Sequence, residues 1–169
     1  MGVQERIVAQ EEAAPPGKMT YEAFLAWLDE DTLAEWVDGE VIVTSPASKI
    51  HQALGRFLLH VLDTFVRFRG LGEIIQPPFQ MKLKHGREPD LIFVATANLD
   101  RLKNTFLDGP ADLVIEIVSP ESIARDRGDK FVEYEAGGVP EYWLFDPERR
   151  SADFYELAGG RYSTAFSGQ

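Results

Sequence analysis

Three short apolar runs constrain the fold of this chain more than any other feature. They are LIFV at 91–94, LVIEIV at 113–118 and YWLF at 142–145. Runs of this length, rich in β-branched and aromatic side chains, are typical of strands that are covered on both faces. We therefore expect a central β-sheet flanked by helices.

Two of these strands carry a single acidic residue. Asp90 follows Pro89 at the start of the first run, and Glu116 lies inside the second. An isolated charge in apolar surroundings is very costly, so each carboxylate must be paired, hydrogen-bonded or bound to a metal. On neighbouring strands the two could share one divalent cation. Alternatively, Asp90 accepts hydrogen bonds at a strand end while Glu116 pairs with Lys130 or an arginine.

The helical segments are predicted from the spacing of apolar residues and from the residues that begin and end each helix. In the longest one, apolar residues recur at helical spacing from Ile50 to Val66, and Gly70 closes it. The segment 96–110 is predicted to be a polar helix or loop. The predicted helices cover 21–30, 48–69 and about 122–136.

Further strands are predicted on both sides of the long helix. We expect a helical turn around Glu35, then an Asp-Gly turn and a strand over 40–44. A strand over 79–84 alternates apolar and polar residues and is expected to pair with the strand at 88–95. A hairpin over 153–166 closes the chain at the edge of the sheet.

Length and composition indicate one domain. A chain of 169 residues with 44% apolar content can bury a core of its own. Residues 1–18, rich in Glu, Ala and Pro, are predicted to form a flexible arm, and 19–169 a single domain. No segment has the apolar length of a signal peptide core or a membrane helix, so we expect a cytoplasmic protein.

The residue types limit the possible metal chemistry. The chain has no cysteine and three histidines, none of which are spaced as a helical pair of ligands. Any metal would be held mostly by oxygen, which suits Mg²⁺ or Mn²⁺.

The charge is unevenly distributed. The net charge is −11, which argues against a general nucleic-acid coat protein, but residues 49–87 hold seven Lys and Arg against two acids. This segment could form a basic face, or it could simply be the solvated side of a helix and a strand.

An ordered set of motifs resembles one protein family. The set comprises Pro89-Asp90, Glu116-Ile117-Val118-Ser119-Pro120, the spacing Asp126, Lys130, Tyr134, and Gly138-Val139-Pro140-Glu141-Tyr142-Trp143, with Glu35-x-x-Asp38-Gly39-Glu40 and Ser48-x-x-His51 upstream. From about Met19 to Asp146 the chain is similar to the Uma2 family of the PD-(D/E)xK nuclease superfamily. The resemblance implies a restriction-endonuclease-like core of mixed α/β type.

The resemblance also implies a metal site and a lysine. Asp90, Glu116 and the backbone carbonyl of Ile117 match the metal ligands of the superfamily. The usual lysine position, two residues after the second acid, is occupied by Val118. We therefore expect Lys130, on the following helix, to replace it.

Two more residues complete the expected catalytic set. Glu35 resembles an additional acid that some members place on the first core helix. His51 could bind phosphate or act as a base, although a single helical histidine is often only a surface or capping residue.

The resulting hypothesis is an Mg²⁺- or Mn²⁺-dependent endonuclease that hydrolyses phosphodiester bonds in DNA. The alternative is a catalytically inactive nuclease-fold module that binds nucleic acid or a protein partner. A homodimer is plausible, with the C-terminal hairpin edge as one candidate surface. The chain has no GxSxG elbow, P-loop or dinucleotide-binding motif that would favour another class of hydrolase.

Overall fold

The fold is a mixed α/β arrangement of two β-sheets with helices packed on them. The structure is a computed structural model that describes residues 15, 17–29, 31–44 and 46–169. The arm predicted over 1–18 lies almost entirely outside the described residues. Within the described part of the chain, no helix is both long and apolar enough to cross a membrane.

The helices have the following bounds: α1 Tyr21–Trp27, α2 Lys49–Arg69 and α3 Lys130–Gly137, with a 3₁₀-helix at Thr96–Arg101 and a π-helical turn at Arg125–Asp129. The strands are β1 Ala34–Val37, β2 Glu40–Val43, β3 Gly72–Ile75, β4 Gln80–Lys82, β5 Gly86–Arg87, β6 Leu91–Ala95, β7 Phe106–Asp108, β8 Leu113–Ile117, β9 Glu141–Asp146, β10 Ser151–Ala158 and β11 Arg161–Gly168.

The three apolar runs of the sequence form adjacent strands in the larger sheet. Its six strands have the order β11-β10-β9-β8-β6-β3, and only β8 and β9 pair in parallel. The smaller sheet has the order β2-β1-β5-β4-β7, with β4 and β7 parallel. The predicted mixed sheet flanked by helices is confirmed, and a second sheet accompanies it.

Successive side chains of β8 point alternately into two different hydrophobic clusters. Ile115 and Ile117 lie in a cluster with Leu58 of α2, whereas Val114 lies in a second cluster with Tyr134 of α3. Because successive residues of a strand point to opposite faces, Glu116 shares the face of Val114. Its carboxylate is thereby directed towards α3.

The long helix α2 has the predicted ends. The side chain of Ser48 accepts a hydrogen bond from the backbone N–H of His51 at 3.2 Å and caps the first turn. Gly70 ends the helix in the left-handed conformation, with φ of 62°. The segment predicted as one helix over 122–136 is helical from residue 123, and it contains the π-helical turn at Arg125–Asp129 before α3 begins at Lys130.

Two predictions of local structure were wrong. Glu35 lies on strand β1, because the turn at Asp38 and Gly39 folds Ala34–Val37 back onto β2 as a hairpin, and strand pairing satisfies the backbone groups. The predicted pairing of the strand at 79–84 with that at 88–95 does not occur. Strand β4 belongs to the smaller sheet, and β6 pairs with β3 and β8.

Candidate active site

The two isolated acids lie on adjacent antiparallel strands. Strands β6 and β8 pair with Leu91 opposite Ile115. One step further along this register, Asp90 comes opposite Glu116. The pairing of β6 with β8 therefore brings both residues to one end of the larger sheet.

Asp90 is held by backbone and side-chain hydrogen bonds. Its Oδ2 accepts the backbone N–H of Ile117 at 2.7 Å, and its Oδ1 lies 3.2 Å from Nε2 of His51. Hydrogen bonding to Asp90 raises the pKa of the His51 imidazole. His51 thus contacts one of the three groups expected to bind a metal.

Lys130 lies at the centre of a buried group of carboxylates. Its Nζ is 2.8 Å from Glu116 Oε1, 2.9 Å from Glu35 Oε1 and 3.4 Å from Asp126 Oδ1. An ammonium has three donors, so these contacts can use all of them. Although burial alone would lower the pKa of Lys130, the surrounding carboxylates, Glu116 first, raise it above its ordinary value.

Nearby positive charge neutralises the Glu116 carboxylate only in part. Burial raises the pKa of this carboxyl to about 8, against the opposing effect of Lys130, and the charges of Asp126, Asp90 and Glu35 raise it further. Its Oε1 also accepts a hydrogen bond from the hydroxyl of Tyr134 at 2.9 Å. The cluster therefore has more carboxylates than its single ammonium can neutralise.

Glu35 is fixed by two cations. Its Oε2 accepts a hydrogen bond from Nη1 of Arg87 at 3.0 Å, while its Oε1 contacts Lys130. Burial would raise the pKa of Glu35, but the charges of Lys130 and Arg87 outweigh burial and lower it. Glu35 therefore lies next to Lys130, another predicted site residue, but it is part of a strand and not of a helix.

These side chains surround one cavity of about 560 Å³. Its wall combines apolar side chains, Leu33, Val43 and Ile50 among them, with titratable groups. The acidic residues lining it are Glu35, Glu88, Asp90, Glu116, Glu121, Asp126 and Glu148, and the basic ones are His51, Arg125 and Lys130. The cavity is strongly acidic and is suited to binding a cation.

The donor set fits a hard divalent cation. Asp90 and Glu116 supply carboxylate oxygens and Ile117 a carbonyl, which are the ligands that Mg²⁺ and Mn²⁺ prefer, with water completing the shell. The raised pKa of Glu116 is the supporting observation, because a cation would offset the charge that this buried carboxylate cannot otherwise carry. Among the described residues, no group of three or more acidic or histidine side chains is arranged to hold a metal.

The sequence interpretation missed two residues of the cavity region. Arg87 connects Glu35 to Glu133, with 2.8 Å between its Nη2 and Glu133 Oε2. Burial raises the pKa of Glu88 to about 8, and within the described part of the chain its Oε1 is buried without a hydrogen-bond partner. Both directly precede Pro89-Asp90, and this proximity was the only signal for them in the sequence.

Comparison with solved structures identifies the fold. The structure resembles that described as "Crystal structure of a putative nuclease belonging to DUF820" from Anabaena variabilis ATCC 29413, with a TM-score of 0.73. Sequence identity is 18%, and the alignment covers 86% of this chain and 83% of the other. At this identity the likeness shows a shared fold. The search of curated proteins found no match.

The family assignment comes from the sequence. Residues 21–168 match the family model described as "Uma2: Putative restriction endonuclease". The match includes every residue of the cavity described above and both sheets, and it agrees with the resemblance found in the motifs. The chain therefore belongs to the Uma2 family.

Proposed function

We propose that this protein is a metal-dependent endonuclease that hydrolyses phosphodiester bonds in DNA. One observation carries the proposal: Asp90 and Glu116 lie at one end of the paired strands β6 and β8 and line the same acidic cavity, with the ammonium of Lys130 beside Glu116. The family match and the fold shared with a protein described as a "putative nuclease" support the same class of reaction.

Asp90, Glu116 and the carbonyl of Ile117 would hold Mg²⁺ or Mn²⁺. Such an ion supplies Lewis acidity towards the scissile phosphate and the attacking water. Asp90 is already oriented for this role, because its Oδ2 is fixed by the N–H of Ile117.

Lys130 provides a fixed positive charge next to Glu116. Since three carboxylates hold its ammonium, it cannot swing away, and its charge offsets the negative charge that develops on the phosphate oxygens. Glu35 acts through Lys130 as a positioning residue, and Arg87 in turn holds Glu35.

His51 lies at a more accessible position. Its side chain is 18% exposed and lines the cavity, and the hydrogen bond to Asp90 favours the protonated ring. A protonated imidazole can donate a hydrogen bond to a phosphate oxygen, which would orient the substrate for in-line attack.

DNA binding should depend on the cation and on salt. A net charge of −11 and an acidic cavity repel phosphate unless a divalent ion is present. Exposed basic residues of the segment 49–87 outside α2, such as Lys84, would contribute further phosphate contacts.

A second candidate is a nuclease-fold module that binds without cutting. The observation in its favour is that Lys130 and Glu116 form a buried ion pair while Val118 occupies the usual lysine position. The contacts are thus compatible with both predictions for the two acids, a metal site or a structural ion pair. A measurement of nuclease activity distinguishes them.

Cleavage assays would test the proposal directly. Supercoiled plasmid and a labelled single strand are incubated with Mg²⁺ or Mn²⁺ and with wild type, Asp90→Ala, Glu116→Ala or Lys130→Ala. Val132→Ala is the matched control, because Val132 is 63% exposed on the same helix as Lys130. We expect metal-dependent cleavage that is lost in the first three variants and retained in the control. Absence of cleavage by wild type, with no Mn²⁺ binding by calorimetry, would favour the binding module.

A further inference from the structure

Helix α2 exposes a row of large apolar side chains. Leu54, Leu58 and Leu62 pack on the six-stranded sheet. The neighbouring row of the same helix remains exposed to solvent. This exposed row consists of Ile50, Phe57, Val61, Phe65 and Phe68, whose exposed fractions range from 47% to 86%.

The sheet continues this apolar surface beside the helix. On the face that Trp143 and Phe145 present towards α2, the ring of Phe154 stacks on Trp143 at 4.5 Å, and Phe166 follows at 5.3 Å from Phe154. An open groove of about 390 Å³ lies where this aromatic row meets the exposed row, lined by Ile50 and Phe166 among others. The exposed row of α2 and the aromatic row of Phe154 and Phe166 on the sheet together form an apolar surface, which we call the apolar trough.

We propose that the apolar trough is a homodimer interface, in which α2 of each copy packs into the trough of the other. The surface area that the apolar trough could bury is close to the area buried in a stable dimer. The three phenylalanines of the exposed row would together bury roughly 400 Å². A stable dimer buries roughly 800 Å² per partner, and Ile50, Val61 and Phe166 supply much of the remainder.

The charge of helix α2 differs from that of the rest of the chain. Helix α2 contains four Lys and Arg, at positions 49, 56, 67 and 69, against the single acid Asp63. Asp63 is paired with Arg67 on the same helix at 2.8 Å. The whole chain has a net charge of −11, so its negative charge lies outside α2 and a contact through α2 keeps the acidic surfaces of the two copies apart. Because α2 itself is positive in both copies, the attraction must come from apolar burial.

The geometry of the exposed row suits a twofold axis. In an isologous dimer the same patch is used by both copies. With the twofold axis perpendicular to α2, the two α2 helices run antiparallel. Val61 lies near the middle of the row and would approach its counterpart at the axis. Ile50 and Pro147 line both the trough and the candidate active-site cavity, so the interface would border that cavity.

Sedimentation equilibrium of the full chain tests the interface without DNA or metal, and therefore independently of nuclease activity. We expect wild type to have twice the 19.0 kDa chain mass. The variant Phe57→Glu with Phe65→Glu should raise the dimer dissociation constant by at least about tenfold, since central aromatic residues dominate interfaces. Val132 is an equally exposed apolar residue outside the trough, so Val132→Glu should leave the dimer dissociation constant unchanged. A monomeric wild type, or a dimer that withstands the double substitution, would overturn the proposal.

Cysteine cross-linking is a second test of the interface, and it does not require the double glutamate variant to fold. Because the chain has no cysteine, Val61→Cys introduces the only thiol. Mild oxidation should convert it to a covalent dimer, while Val132→Cys should remain monomeric under denaturing conditions. A lack of cross-linking at Val61, or equal cross-linking at both positions, would place any dimer contact elsewhere, for example on the β11 edge.

Discussion

The ammonium of Lys130 lies 2.8 Å from Oε1 of Glu116, although the two residues come from different elements of the fold. Nuclease cores of this type are expected to carry the lysine on the strand itself, where this chain has Val118. Val118 is 4% exposed and belongs to the apolar core next to α3. The lysine of α3 thus reaches the second acid while the strand position serves packing.

Divalent metal should stabilise the fold through Asp90. At a Mn²⁺ concentration about a hundredfold above the dissociation constant, binding adds about 2.7 kcal/mol to the free energy of unfolding. The melting temperature of wild type should therefore rise with Mn²⁺, and that of Asp90→Asn should rise much less. Asp38→Asn, which changes an exposed acid at the β1–β2 turn, is the control. Equal shifts in all three proteins would contradict the assigned ligand.

Lys130→Met should strongly destabilise the metal-free protein. The substitution leaves the buried carboxylates of Glu35, Glu116 and Asp126 without their common partner. Removing one member of a buried ion pair costs about 3–5 kcal/mol. Urea unfolding with EDTA measures the loss, and Lys103→Met, at an exposed position, controls for the residue type. A loss no larger than that of the control would mean that the carboxylates are already neutral.

Glu35→Gln should lower kcat for cleavage and leave KM nearly unchanged. Glu35 contacts Lys130 and Arg87 and acts by positioning, so the expected decrease is about 10- to 100-fold. The conservative variant Glu35→Asp should recover part of the rate. An increase in KM at constant kcat would instead assign Glu35 to substrate binding.

Glu133 should make stability depend on acidic pH. Burial would raise the pKa of Glu133, but hydrogen bonds from His85 and the charge of Arg87 lower it below its usual value of 4.5. A lowered folded-state pKa stabilises the protein above the unfolded-state pKa, and this contribution is lost as pH falls through the folded-state pKa.

The variant Glu133→Gln isolates this effect. At pH 7 it should lower the free energy of unfolding by about 2 kcal/mol, because charge-assisted hydrogen bonds are lost. Denaturation curves at pH 7 and near pH 3 should show that the difference between wild type and variant shrinks at low pH. A difference that is constant with pH would show that packing, and not the Glu133 charge, is responsible.

Elements that depend on local sequence patterns could be predicted without the structure. Helix α2, with Ser48 and Gly70 at its ends, and the buried strands β6, β8 and β9 follow from periodicity and from capping, which depend on neighbouring residues only. The family also follows from the sequence, because its motifs are ordered along the chain.

Which residues come together at the candidate site depends on the folded chain and could not be predicted from local patterns. Glu35 was expected on a helix, but long-range pairing placed it on β1, where Arg87 and Lys130 hold it. The same holds for α2, whose apolar periodicity cannot show which row the sheet covers and which row remains exposed. The physical reason is that burial and ion pairing are set by contacts between residues far apart in the chain, and local patterns do not encode such contacts.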